Sequence, residues 1–173
     1  MSTAVLQSSS TPPGPPSLRA VAAPDDSHLQ ILNLARNAAK ADRLAYAGGI
    51  SPADAWELVS SGHAVLVDVR TAEERKFVGH VPGSVHVPWM TGLSMNRNPR
   101  FVRELENKLA KTAVVLLLCR SGKRSHAAAE ALARAGFESA FNVLEGFEGD
   151  LNELNQRGSL GGWRRWGLPW VQD

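Results

Sequence analysis

Six consecutive apolar residues, "AVVLLL" over 113–118, end on Cys119, and "RSGKR" and the alanine-rich "SHAAAEALARA" follow at once. A strand with one wet face alternates polar and apolar side chains, so an unbroken apolar run predicts a strand covered on both faces. Gly136 stops the helix that comes next. Strand, tight loop and helix in that order are half of a βαβ unit.

The rest of the chain alternates in the same way. In "GISPADAWELVSSG", Ser51 is placed as N-cap, Pro52 in the first turn, Asp54 as the capping acid and Gly62 as the stop of a helix. "AVLVDVR" reads as a short β-branched strand, and the T-x-x-E pair Thr71 and Glu74 opens a helix to about Phe77. A Pro-Gly turn at 82–83 leads into a strand over Val85–Val87, residues 99–109 give a helix with Phe101, Val102, Leu105 and Leu109 on one face, and "AFNV" gives a further strand. The following "LEGFEGDLNELNQ" is expected to be helical. Strands alternating with helices predict an α/β fold, a parallel sheet flanked by helices on both faces. In such sheets ligands bind beyond the carboxyl ends of the strands, which is where "AVVLLL" delivers Cys119.

Ahead of this region, residues 1–26 are rich in Ser, Thr, Pro and Ala and are expected to be a disordered tail. Over 27–44 the apolar residues Leu29, Ile31, Leu32, Leu34, Ala35, Ala38 and Ala39 recur at helical spacing, with Ser27 as the expected N-cap. This appended amphipathic helix is expected to pack on the main domain, 45–173, rather than make a dimer contact, because so short a helix is marginal alone.

With 43% hydrophobic and 21% charged residues, 173 residues suffice for one domain with a real core. A net charge of +2 without any long Lys/Arg block argues against a nucleic-acid or membrane partner. The first residues, "MSTAVLQSSSTPPGPPS", lack the cationic and apolar regions of a secretory signal, and the longest apolar run is far too short to span a bilayer. One cysteine excludes an internal disulfide and suits a reducing compartment, so a cytoplasmic protein is expected.

Gly122 lets the loop after Cys119 wrap tightly, so that its amides converge near the start of the next helix. Those N–H groups, the helix dipole and the cations Arg120, Lys123 and Arg124 all favour an anionic sulfur. The same cradle, Arg120, Ser121, Gly122, Lys123, Arg124 and Ser125, would hold an anionic substrate. A lone cysteine is more commonly a small buried hydrophobe, but that role has no use for a cationic, glycine-containing loop. The histidines are scattered and no Cys-x-x-Cys occurs, so neither a metal nor any other cofactor is expected.

Two blocks, "LVDVRTAEERKFVGHVPGSVHVP" and "CRSGKRSHAAAEALARAGFESAFNVLEGF", resemble the upstream signature and active-site loop of the single-domain rhodanese (thiosulfate sulfurtransferase) family, from about Ala45 to Trp170. The resemblance implies a rhodanese-like fold in which Cys119 takes a sulfane sulfur as a persulfide and passes it to a thiophilic acceptor, a thiol or cyanide. It also implies that Asp68 and Arg70 sit near the loop as supporting residues. Ser84, where the family's turn usually has alanine, His86 in the next strand, the segment "WMTGLSMNRNPRF" and the long "LNELNQRGSLGGWRRWGLPW" depart from the pattern.

His80 is better read as tying down its turn than as a base, and His126 as a solvated or capping residue. Trp163, Trp166 and Trp170 are expected to anchor the C-terminus, with a place at the substrate mouth as the alternative. The nearest rival function is a cysteine-based phosphatase or arsenate reductase, whose loop is Cys-x5-Arg; here Cys119 and Arg124 make Cys-x4-Arg, and no general acid is evident. A non-catalytic binding module is the other rival, and it gains nothing from a cysteine in a cationic loop. Thiosulfate is the first choice of donor, since three cations suit a dianion. The acceptor and the oligomeric state stay open.

Overall fold

In the computed structural model, which describes residues 25–172, the elements run α1 (Asp26–Ala41), β1 (Gly48–Ile50), α2 (Pro52–Ser60), β2 (Val65–Asp68), α3 (Ala72–Val78), β3 (Val85–His86), β4 (Met90–Thr91), β5 (Asn96–Arg97), α4 (Phe101–Glu106), β6 (Val115–Leu118), α5 (Lys123–Arg134) and β7 (Ala140–Val143). Five strands form one sheet in the order β1-β7-β6-β2-β3, every neighbouring pair parallel. The apolar run becomes β6, the central strand, with all four residues buried.

Its side chains alternate between two cores. Val115, Leu117 and Cys119 join Val67, Val69, Phe101, Leu105, Ala128, Ala129 and Leu132 on the face covered by α4 and α5. Leu116 and Leu118 join Leu32, Ala35, Ala55, Leu58, Phe141 and Phe147 on the face covered by α1 and α2. The expected α/β sheet with helices on both sides is therefore present, and α1 is part of it: its buried side chains are His28, Leu32, Ala35 and Ala39. The approach of α1 to β1 is close enough that a Cβ at Gly48, whose φ is +127°, would collide with the Ala35 carbonyl. Arg36 fastens the far end of this contact by donating to Ser139 Oγ at 2.8 Å.

Several elements differ from the sequence reading. Asp25, not Ser27, caps α1, its Oδ1 accepting from the N–H groups of Ser27 and His28 at 3.1 Å each. The tail expected over 1–26 otherwise lies outside the described residues. β1 and the β4–β5 hairpin are additional strands. α4 ends at Glu106, although the turn continues far enough to bury Leu109. The helix expected after Val143 does not form. Glu145, Gly146 and Gly149 all have positive φ, and the amides of Phe147 and Glu148 bond to the carbonyls of Cys119 and Arg120 at 2.8 and 2.9 Å instead of closing helical turns. Among the described residues no helix is long and apolar enough to cross a membrane.

The three tryptophans of the C-terminal segment separate by environment. Trp163 is fully buried, edge-on to Trp56 at 6.0 Å, with its Nε1–H donated to Pro169 O at 2.9 Å. Trp170 packs edge-on to Phe147 and under the Arg164 guanidinium, whereas Trp166 is largely exposed. Replacing Trp163 with Ala is expected to destabilise the protein by about 3–5 kcal/mol in urea unfolding, and Trp166→Ala by much less; equal losses would place the anchor elsewhere.

Candidate active site

Cys119 leaves β6 at the carboxyl edge of the sheet, between the ends of β2 and β7. Gly122 adopts a left-handed conformation, φ +88°, and this reverses the chain so that α5 starts one residue later. The reversal brings the Gly122 N–H to 3.1 Å from Cys119 Sγ. From the first turn of α5, the buried Ser125 places its Oγ 3.2 Å from the same sulfur.

Ser125 has a second neighbour that sequence reasoning missed. Its Oγ lies 2.6 Å from Oδ1 of Asn142, a buried residue on β7. A hydroxyl carries one proton, so Ser125 donates either to the sulfur or to Asn142. When Cys119 is a thiol, S–H can donate to Ser125 while Ser125 donates to the amide oxygen; when the sulfur is anionic, the hydroxyl turns to it. The site can thus serve both protonation states without a buried hydrogen going unpaired.

The cations divide by role. Arg120 and Ser121 are half-buried, and Arg120 makes no ion pair among the described residues. Lys123 is exposed, 3.9 Å from the Asp150 carboxylate. Arg124 is committed elsewhere: its guanidinium grips Glu74 through both nitrogens at 2.7 and 2.6 Å. Glu74 is also the acid of the α3 capping box, accepting from Thr71 N–H at 3.1 Å. Burial opposes both charges, but the mutual hydrogen bonds and attraction outweigh it, so Glu74 lies below the usual carboxylate range and Arg124 above its ordinary value, with Cys119 and Asp68 adding to the latter. The sequence signal for Glu74 was its capping role, which gives no hint of a partner 50 residues away.

Asp68 and Arg70 lie behind the loop rather than in it. Asp68 ends β2 beside Leu118, and the fully buried Arg70 clasps it through Nε at 3.0 Å and Nη2 at 2.7 Å. Arg70 Nη2 also donates to Gly79 O at 2.8 Å, and its guanidinium lies 4.0 Å over the Phe147 ring. Arg75 adds a second cation to Asp68 at 2.9 Å and donates to Ser84 Oγ, which gives the serine in that turn a purpose alanine could not serve. Burial works against the Asp68 charge, yet these cations hold its pKa below the ordinary value. His80 ties down its turn through backbone bonds to Val171, and His126 shares a 2.8 Å hydrogen bond with the Tyr46 hydroxyl.

Because Arg124 and Glu74 are both mostly buried, with side chains 12% and 15% exposed, removing one strands the other. Glu74→Ala should lower unfolding stability by about 3 kcal/mol, and adding Arg124→Ala should recover part of that loss. Purely additive losses would mean that the two residues act separately.

Residues 51–153 match the family described as "Rhodanese-like domain". The uncharacterized protein RP600 of Rickettsia prowazekii is 35% identical over 117 residues, which cover 65% of this chain and 87% of that protein. Thiosulfate sulfurtransferase 16, chloroplastic, of Arabidopsis thaliana is 35% identical over 100 residues, 57% of this chain and 82% of that protein. The crystal structure of Rv0390 from M. tuberculosis matches with a TM-score of 0.67 at 44% identity, covering 74% of this chain and 99% of that one. The family match spans more than half of the chain and includes Cys119 with its entire loop, so the chain belongs to the rhodanese-like domain family.

Proposed function

We propose that the protein is a sulfurtransferase that carries sulfane sulfur on Cys119, taking it from thiosulfate or a similar small anionic donor and giving it to a thiol or to cyanide. The observation that carries this reading is the sulfur cradle itself, Cys119 Sγ held by the Gly122 N–H and the Ser125 hydroxyl at the start of α5. Relatives named as thiosulfate sulfurtransferases support sulfur transfer as the general activity.

In the first half-reaction the Cys119 thiolate attacks the outer sulfur of thiosulfate. A new S–S bond forms, the S–S bond of the donor breaks, and its electron pair leaves on sulfite. The product is a Cys119 persulfide anion, whose charge falls where the Gly122 amide and the α5 dipole can stabilise it. In the second half-reaction cyanide or a thiolate attacks the terminal sulfur, and Cys119 leaves as thiolate. No proton need be transferred within either step, consistent with a loop that presents donors but no base.

Arg120 and Lys123 are the cations of the loop left for the donor's sulfonate oxygens, since Arg124 is engaged by Glu74. The same engagement counts against a phosphatase, which needs its loop arginine on the oxyanion. Cys119 itself is only 1% exposed, which suits a donor that presents a single protruding sulfur.

Incubation with thiosulfate should add one sulfur atom to the intact mass, and cyanide should remove it. Cys119→Ser should fold normally and do neither. Arg120→Ala should raise KM for thiosulfate more than for an uncharged donor. Rapid turnover of an aryl phosphate with no gain of sulfur would replace this reading with the phosphatase.

A further inference from the structure

A second group of chemically capable side chains gathers where the start of α1 meets the connection between α2 and β2. His28, on the first turn of α1, is 5% exposed, and His63, in the connection, is 8% exposed; their rings stand 4.2 Å apart at 49°. Asp25 Oδ1 lies 2.6 Å from His28 Nδ1, and Glu57 Oε1 lies 3.5 Å from His28 Nε2. Neither contact is aligned as a hydrogen bond, so both buried nitrogens of His28 lack a hydrogen-bond partner. Hydrophobic packing of α1 does not account for this: an apolar residue would fill the position without leaving two polar atoms unsatisfied.

The donor atoms of Asp25, His28 and His63 all lie within 4.8 Å of one another. Zinc bonds to nitrogen and oxygen of about 2.0–2.2 Å set tetrahedral ligands roughly 3.3 Å apart, within reach of small side-chain rotations from this arrangement. The Asp25 carboxylate caps α1, accepting from the N–H groups of Ser27 and His28 and from the Ser27 hydroxyl. Those cap bonds fall on Oδ1, and Oδ2 takes no part in them. Two imidazoles and a carboxylate form the nitrogen-rich set that zinc and its neighbours prefer over magnesium or calcium.

We propose that Asp25, His28 and His63 form a binding site for a divalent transition-metal ion of the zinc class, with Glu57 at its rim as a further oxygen ligand. Asp25 and His28 stand at the start of α1, Glu57 on α2 and His63 in the connection after it, so the ion would pin the appended helix α1 to the domain. Such a site is invisible in the sequence, because the two histidines carry no ligand spacing and meet only when α1 docks.

The test uses the full chain carrying Cys119→Ser, so that the thiol cannot take the ion. Titration with zinc chloride should show one ion per chain, and zinc but not magnesium should raise the melting temperature, since the site exists only in the folded state. Imidazole NMR signals of His28 and His63 should move on binding, and those of His80, His86 and His126 should not. Asp25→Asn keeps a competent helix cap, so its fold is retained; it and His63→Gln should each weaken zinc binding at least about tenfold. No stoichiometric binding, unchanged affinity in Asp25→Asn, or shifts confined to the other histidines would each overturn the proposal.

Discussion

The structure around the sulfur cradle depends on one buried guanidinium. Arg70 has no exposure to water, and a charge so placed must find its compensation inside the protein. It does so by holding Asp68 at the end of β2, the Gly79 carbonyl at the end of α3 and the face of Phe147. Phe147 in turn donates its backbone N–H to the Cys119 carbonyl. A single side chain therefore connects strand, helix and the turn after β7 to the residue that bears the sulfur. The compensation must come as a set, because losing any partner would leave a buried ion short of it.

The cradle is built on the same plan at shorter range. Carbonyls of Cys119 and Arg120 are drawn outward by the amides of Phe147 and Glu148, while the Gly122 amide is directed to the sulfur. Glu74 holds Arg124 from the α3 side, and Asn142 holds Ser125 from β7. Each flank of the loop thus has its own polar support, and the Arg124 charge in the first turn of α5 is balanced by a carboxylate belonging to the protein.

What the sequence disclosed followed the range of the physics. The central strand, the Gly122 reversal and α5 were legible because burial on two faces, a forced backbone conformation and helical spacing are all written within a few residues of one another. The T-x-x-E cap was legible for the same reason. The pairing of Glu74 with Arg124 was not, because its partners lie 50 residues apart and each has a sufficient local explanation. Asn142 sat unnoticed within a short apolar strand, where its polarity was the only available clue. The false helix after Val143 had adequate apolar spacing; it fails because Glu145, Gly146 and Gly149 take left-handed conformations and their neighbours bond to the Cys119 loop.

Gly146 gives that contact a further meaning. A Cβ there would stand 2.5 Å from Arg120 C and Ser121 N and 2.6 Å from Cys119 O, so the two chain segments touch through bare backbone. Backbone lying against backbone cannot be loosened by rotating a side chain. The loop after Cys119 and the turn after β7 consequently move as one piece, and the chain around the sulfur cannot open by parting them. Any change of shape at this edge of the sheet must then come from side chains that are free to turn, such as the exposed Lys123 at the start of α5.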